Sequence, residues 1–164
     1  MCVLNIILFH LTPARSEDNG VKFSGQIRSR GEMDQKDFDS DTSGGPLSLF
    51  RVRLNAAFQP ADKIYTFIQL QDSRERGFEP STLADTHNVD LHQAYVQVND
   101  LFIDKLTFKI GRMELSYAGQ RLIGAVDWHN VGRSFDGEVL RYKASEKLTI
   151  ELLETKYCGT SRPK

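Results

Sequence analysis

Arg51 and Arg53 stand two positions apart in "FRVRLNAAF" (Phe50–Phe58), and Arg28 and Arg30 do the same in "QIRSRGEM". An extended chain turns every second side chain to the same side. Each segment therefore sets two guanidinium groups on one face, while Phe50, Val52, Leu54, Ala56 and Phe58 fall on the other. Guanidinium groups suit carboxylates, because two parallel N–H donors match two oxygens. Rings of Arg and Lys are also how anion pores select. The same arginines have a plainer use, which is to pair with Glu32, Glu114 or Glu151 and stiffen the wall they belong to.

Such a face needs long strands to carry it, and from Val21 onward the pattern has period two with no sustained helical stripe. In Val21–Met33 the even positions are polar (Lys22, Ser24, Gln26, Arg28, Arg30, Glu32), and the odd ones carry Val21, Phe23, Ile27 and Met33. Further strands are predicted at Leu49–Gln59, Ile64–Ser73, Val89–Val98, Leu106–Glu114, Phe135–Lys143 and Leu148–Glu154. The economical topology is an all-β, antiparallel up-and-down meander of about seven long strands. The connections alternate between long (Asp34–Pro46, Arg74–Asn88, Leu115–Ser134) and shorter ones (Pro60–Lys63, Asn99–Lys105, Ala144–Lys147). Transmembrane β-barrels trim one end of the sheet and elaborate the other in this way.

The 164 residues carry a net charge of −1, which points to neither nucleic acid nor an acidic tail. That total hides an asymmetry. Acids crowd the loops (Asp34, Asp37, Asp39, Asp41, Glu75, Glu79, Asp85), whereas the polar strand faces collect Lys22, Arg28, Arg30, Arg51, Arg53, Lys109 and Arg141. Cys2 and Cys158 lie at opposite ends and make no disulfide framework. No apolar run approaches the ~20 residues of a membrane-spanning helix. Residues 1–20 read as a signal-peptide remnant or disordered tail, with a buried first strand as the alternative, and are set aside from the fold. Residues 21–156 form the β region and 157–164 an irregular tail.

Period two alone does not say which face is inside. In a soluble sandwich the apolar face is the core; in an outer-membrane barrel it meets lipid and the polar face lines a wet lumen. The strand lengths, about 9–11 residues, favour the barrel, as does a polar face enriched in Arg, Gln and Tyr.

"LHQAYVQV" (Leu91–Val98), followed by "KIGRMELSYAGQRLIGAVDWHNVGRSFDG" (Lys109–Gly137), resembles the alginate-export family of bacterial outer-membrane β-barrel porins. There a strand reading roughly "DLHQAYV" precedes a "GRQEL…QRLIG…W…N.GR.FDG" pattern. Asp90–Val96, Gly111–Leu115, Gln120–Gly124, Trp128 and Gly132–Gly137 match it, and Met113 stands where the family usually has Gln. "FSGQIRSRGE", "FRVRLNAAF" and "IQLQDSR" extend the resemblance from about Val21 to Leu153. The family implies a large barrel of about eighteen strands, within the range of bacterial single-chain barrels, passing an anionic polysaccharide or other solutes across the outer membrane. Seven strands make an open, curved part of such a barrel, in contact with outer-membrane lipid and lacking its remaining strands. On this reading the chain looks like the N-terminal portion of a porin.

The lumen-lining, substrate-binding set on this reading is Arg28, Arg30, Arg51, Arg53, Lys109, Arg112, Arg121 and Arg141. Arg112, Glu114, Arg121, Asp127, Arg133 and Asp136 surround the longest loop, either as a constriction or as a salt-bridge network anchoring it. Gly111 and Gly137 read as bulge or bend positions. Trp128, Tyr117 and Phe135 suit an interfacial girdle or stacking on sugar faces. "DFDSDTSGG" (Asp37–Gly45) starts like a calcium loop but lacks its Gly and final Glu. His87, His92 and His129 lack zinc-ligand spacing. No nucleophile elbow, P-loop or dinucleotide fingerprint occurs. The expectation is a channel with no enzymatic activity, no cofactor, no metal and no nucleic-acid partner. The rival readings are a soluble periplasmic β-sandwich that binds carbohydrate, and a nonfunctional truncated fragment.

Overall fold

The computed structural model describes residues 6–11, 20–33, 46–75 and 89–157. They form one antiparallel sheet in strict sequence order: β1 (Ile6–Leu11), β2 (Lys22–Met33), β3 (Pro46–Ala61), β4 (Ile64–Glu75), β5 (Val89–Val98), β6 (Leu106–Met113), β7 (Phe135–Lys143) and β8 (Thr149–Tyr157). Each strand pairs with its neighbours in the chain; β1 and β8 are not paired with each other, so the sheet is open. The meander is the predicted one, with the seven expected strands starting and ending within a few residues of the predicted positions. β1 is an addition. Ile6–Leu11, set aside in the sequence reading, pairs with Gly25–Arg30. Its apolar, β-branched run suits a strand, and the outer edge of β2 offers it a row of backbone partners. The calcium-like loop, His87 and both cysteines lie outside the described residues.

Register fixes the faces. Arg28 is opposite Arg51, Gln26 opposite Arg53, and Ile27 opposite Val52. The cations of β2 and β3 therefore share one side and the aliphatic residues the other. Gln69 and Gln71 of β4, opposite Asn55 and Arg53, continue the polar side. Burial runs against the habit of soluble proteins: Arg28, Arg30, Arg51, Arg53, Gln69, Gln71 and His92 are buried, while Phe23 is 68% and Leu54 59% exposed. Ile27, Ile68, Leu70, Val96, Ile110 and Leu152 are exposed on the same apolar side. A soluble β-sheet normally buries its apolar face. Here the apolar side carries no second layer among the described residues.

The polar side is covered by the chain between β6 and β7, residues 114–134. Its first half packs over β6–β8, where the inward positions turn apolar. Met113, Leu115, Phe135 and Val139 form a small core, with Tyr95, Tyr117, Ile123 and Leu153 against it. Met113 is fully buried, and a side chain of its size contributes about 1.5–3 kcal/mol by leaving water. Phe135 and Tyr117, read from the sequence as girdle residues, serve this core.

Two glycines let the sheet close up beneath the loop. A Cβ on Gly111, whose φ is +127°, would lie 2.3 Å from the Ala94 carbonyl oxygen. One on Gly137, its cross-strand partner, would lie 2.1 Å from that of Glu154. The two residues mark a place where neighbouring backbones approach too closely for any side chain.

Candidate functional site

The second half of the 114–134 connection, residues 125–133, lies on the basic face and is gripped there. Arg28 donates from Nη1 to the Asp127 carbonyl oxygen at 2.6 Å and from Nη2 to that of His129 at 3.0 Å. Arg30 donates to the Trp128 carbonyl and stacks its guanidinium 4.5 Å from the Trp128 ring, a favourable cation–π placement. Gln71 donates to the Val131 carbonyl at 2.6 Å and Ser73 to that of Asn130 at 3.1 Å. Five consecutive carbonyls, Asp127 to Val131, are thus read by side chains of β2 and β4. The loop is bound as an extended peptide would be.

At the centre stands a carboxylate. Asp127 Oδ1 accepts from Arg51 Nη2 at 2.9 Å and from Arg53 Nη1 at 3.3 Å. Arg51 is completely buried, whereas the Asp127 side chain is 56% exposed. Arg28 and Arg51 sit directly opposite each other, an arrangement that repels in isolation, and the carbonyls and the carboxylate of the loop offset that repulsion. Partial burial alone would raise the Asp127 carboxyl; Arg51, Arg53 and Arg28 outweigh it and hold the group below its ordinary 3.8.

Arg53 joins this cluster to a second one. It donates from Nε to Gln71 Oε1 at 2.6 Å and lies 3.1 Å from Glu114 Oε1. His92 Nε2 is 3.0 Å from Arg53 Nη2 and 2.8 Å from Glu114 Oε1. One ring nitrogen cannot accept from the first while donating to the second, so we assign Nε2–H to the carboxylate, which already draws Arg53. Ser134 Oγ–H closes the set by donating to the His92 carbonyl at 2.6 Å. A bulge makes this possible. Gln69 is opposite Gln93 but Leu70 is opposite Leu91, so His92 is the extra residue and turns inward beside Gln93. Strict alternation hid His92. The one sequence signal for it is the break that His92–Gln93 makes in the polar–apolar pattern of β5.

The expected site residues separate into three groups. Arg28, Arg30, Arg51 and Arg53 come together as one cluster. Lys109 and Arg141 share the polar side further along. They line a pocket of about 140 Å³ with Gln97, Thr107 and Tyr117, where Lys109 lies 3.6 Å from the Tyr95 ring and Arg141 pairs with Glu151. Arg112 takes the parity of Phe108 and Ile110 and pairs with Asp136 at 2.7 Å, near Asp90, so it is not brought into the cluster. Arg121 is exposed at the end of a 3₁₀ turn (Ala118–Gln120). Of the charged set expected around the loop, Asp127 and Glu114 pair with the arginines of β3, and Arg112 pairs with Asp136. Among the described residues no group of His, Cys, Asp and Glu has the makings of a metal site.

The loop is strained where it is gripped. Val126, immediately before Asp127, has φ = +50°, a region that a β-branched residue enters at a cost of about 1–3 kcal/mol. The neck of the loop is closed by Arg133 N–H donating to the Ala125 carbonyl at 2.7 Å.

An open antiparallel meander of long strands, apolar on the exposed side and basic on the covered side, is consistent with part of a β-barrel wall. Family comparison agrees: residues 20–156, well over half the chain, match the family described as Alginate export. The chain belongs to that family, a transport family of the outer-membrane β-barrel type. Searches of curated proteins and of solved structures return no match. No helix among the described residues is long and apolar enough to cross a membrane, which has no bearing on crossing by strands.

Proposed function

We propose that this chain is part of the wall of an outer-membrane porin that passes an anionic, alginate-like polysaccharide or other solutes, with its basic face toward the lumen. The observation that carries this reading is the inversion of burial: Arg51 is completely buried, while Leu54, three residues on, is 59% exposed. Lipid is the solvent that an exposed Phe23, Leu54 and Ile110 prefer, and a lumen is where Arg28, Arg30, Arg51, Arg53, Lys109 and Arg141 meet an anion. A soluble sandwich would bury Val52 and Leu54 instead. The open edges of β1 and β8 pair with further strands in the complete wall, since lipid leaves each unpaired backbone group costing several kcal/mol.

A polymer bearing a carboxylate on each sugar moves along such a face by exchanging weak sites rather than occupying one strong one. The test is to replace Arg28, Arg30, Arg51 and Arg53 by Gln in the assembled porin. Removing lumenal positive charge lowers local anion concentration, so planar-bilayer recordings are expected to shift toward cation selectivity and uronate-polymer flux to fall. Unchanged selectivity assigns these arginines to holding the loop alone.

A further inference from the structure

We propose that the seat between Arg51 and Arg53 is a carboxylate-binding site that the chain fills with its own Asp127, and that a uronate carboxylate of the transported polymer takes this seat by displacing residues 126–131. The proposal builds on the porin reading above and adds an internal competitor to it. In the structure Asp127 Oδ1 does what a substrate oxygen would do, accepting from two guanidinium groups at alternate positions of β3. The donors are fixed at the bottom of the site, with Arg51 wholly buried, and the carboxylate is reached from the open side.

Three features make the occupant removable. The loop tip is held by hydrogen bonds from Arg28, Arg30, Gln71 and Ser73 to its carbonyls, while its own apolar side chains, Val126, Trp128 and Val131, are exposed. Its ends are anchored independently, by buried Ala125 with the Arg133–Ala125 bond and by the core around Leu115, so the tip moves without unpacking the rest. The left-handed Val126 stores strain that leaving would relieve. An incoming carboxylate therefore exchanges with one already present and keeps Arg51 and Arg53 paired, which is what a site built for transit requires.

Trp128, the only tryptophan of the chain, lies on Arg30 and reports the exchange. The experiment titrates a trimer of galacturonic acid, with neutral maltotriose as control, into the chain folded in detergent micelles. Trp128 emission and calorimetry are followed for wild type, Asp127→Asn and Asp127→Glu. Removing an internal competitor removes its share of occupancy. Asp127→Asn is therefore expected to bind the uronate about three- to tenfold more tightly, and Asp127→Glu, which keeps the competitor and controls for folding, to stay within about twofold of wild type. Maltotriose is expected to leave the emission unchanged. Uronate binding of equal or lower affinity in Asp127→Asn overturns the self-occupied seat and leaves the anion-passage reading standing. Absence of uronate binding in all three proteins overturns both.

Discussion

Arg51 and Asp127 are 76 positions apart in the chain, and Arg51 Nη2 lies 2.9 Å from Asp127 Oδ1. One partner is sealed beneath the loop and the other is open to solvent. With the hydrogen bonds from Arg28, Arg30, Gln71 and Ser73 to the loop carbonyls, this contact makes a long connection part of the sheet's covered polar surface.

Acid is expected to release the loop. Asp127 has its carboxyl held below 3.8 by the three arginines around it, so it favours the docked state wherever it is charged. A lowered folded-state value means that this contribution is present above the ordinary carboxylate value and is lost as pH falls through the lowered one. Trp128 emission is expected to show an acid transition with its midpoint below 3.8, and Asp127→Asn to remove that transition. A transition that survives in Asp127→Asn would assign the release to another group.

His92 is expected to be structural and costly to remove. It is 3% exposed and holds Glu114 and Ser134 around Arg53. His92→Ala leaves the part-buried Glu114 carboxylate short of a donor, a loss of about 1–3 kcal/mol. Denaturant unfolding in detergent, followed by Trp128 emission, measures it. A change within about 0.5 kcal/mol would mean that water replaces the imidazole.

Gly111 and Gly137 are expected to be intolerant of alanine. The added Cβ would meet backbone oxygens at 2.3 Å and 2.1 Å, and Gly111 also has a φ that L residues rarely adopt. Gly111→Ala and Gly137→Ala should weaken the β5–β6 and β7–β8 pairings, seen as faster amide exchange at Tyr95 and Thr155. Gly31→Ala, where nothing lies within 4 Å, is the control and is expected to be neutral within about 0.5 kcal/mol.

How much of this was legible beforehand follows from the kind of pattern each feature has. The strands and their faces are local, period-two facts, so Arg28, Arg30, Arg51 and Arg53 could be placed together from parity alone. What alternation cannot show is what lies across the sheet. That residues 125–133 fold onto the arginines depends on contacts such as Arg28 with Asp127, 99 positions apart. Apolar Leu115, Ile123 and Ala125 within the 114–134 connection were the available hint that it packs against something. His92 was hidden because a bulge interrupts the alternation used to read the strand. Arg112 was named with Asp136 in the loop network and pairs with it, but the register gives it the parity of Phe108 and Ile110, away from the cluster.

The account rests on lipid meeting the apolar face and water meeting the basic one. Nitroxide labels placed one at a time along β2, β3 and β6 of the chain in lipid bilayers test this directly, through collision with oxygen, which concentrates in the bilayer, and with a water-soluble nickel chelate. Oxygen accessibility is expected to peak at Ile27, Val52, Leu54 and Ile110, and nickel accessibility at Ser24, Asn55 and Thr107, alternating with period two. Nickel maxima at positions 52 and 54, or both faces equally open to the chelate, would contradict the membrane-wall reading.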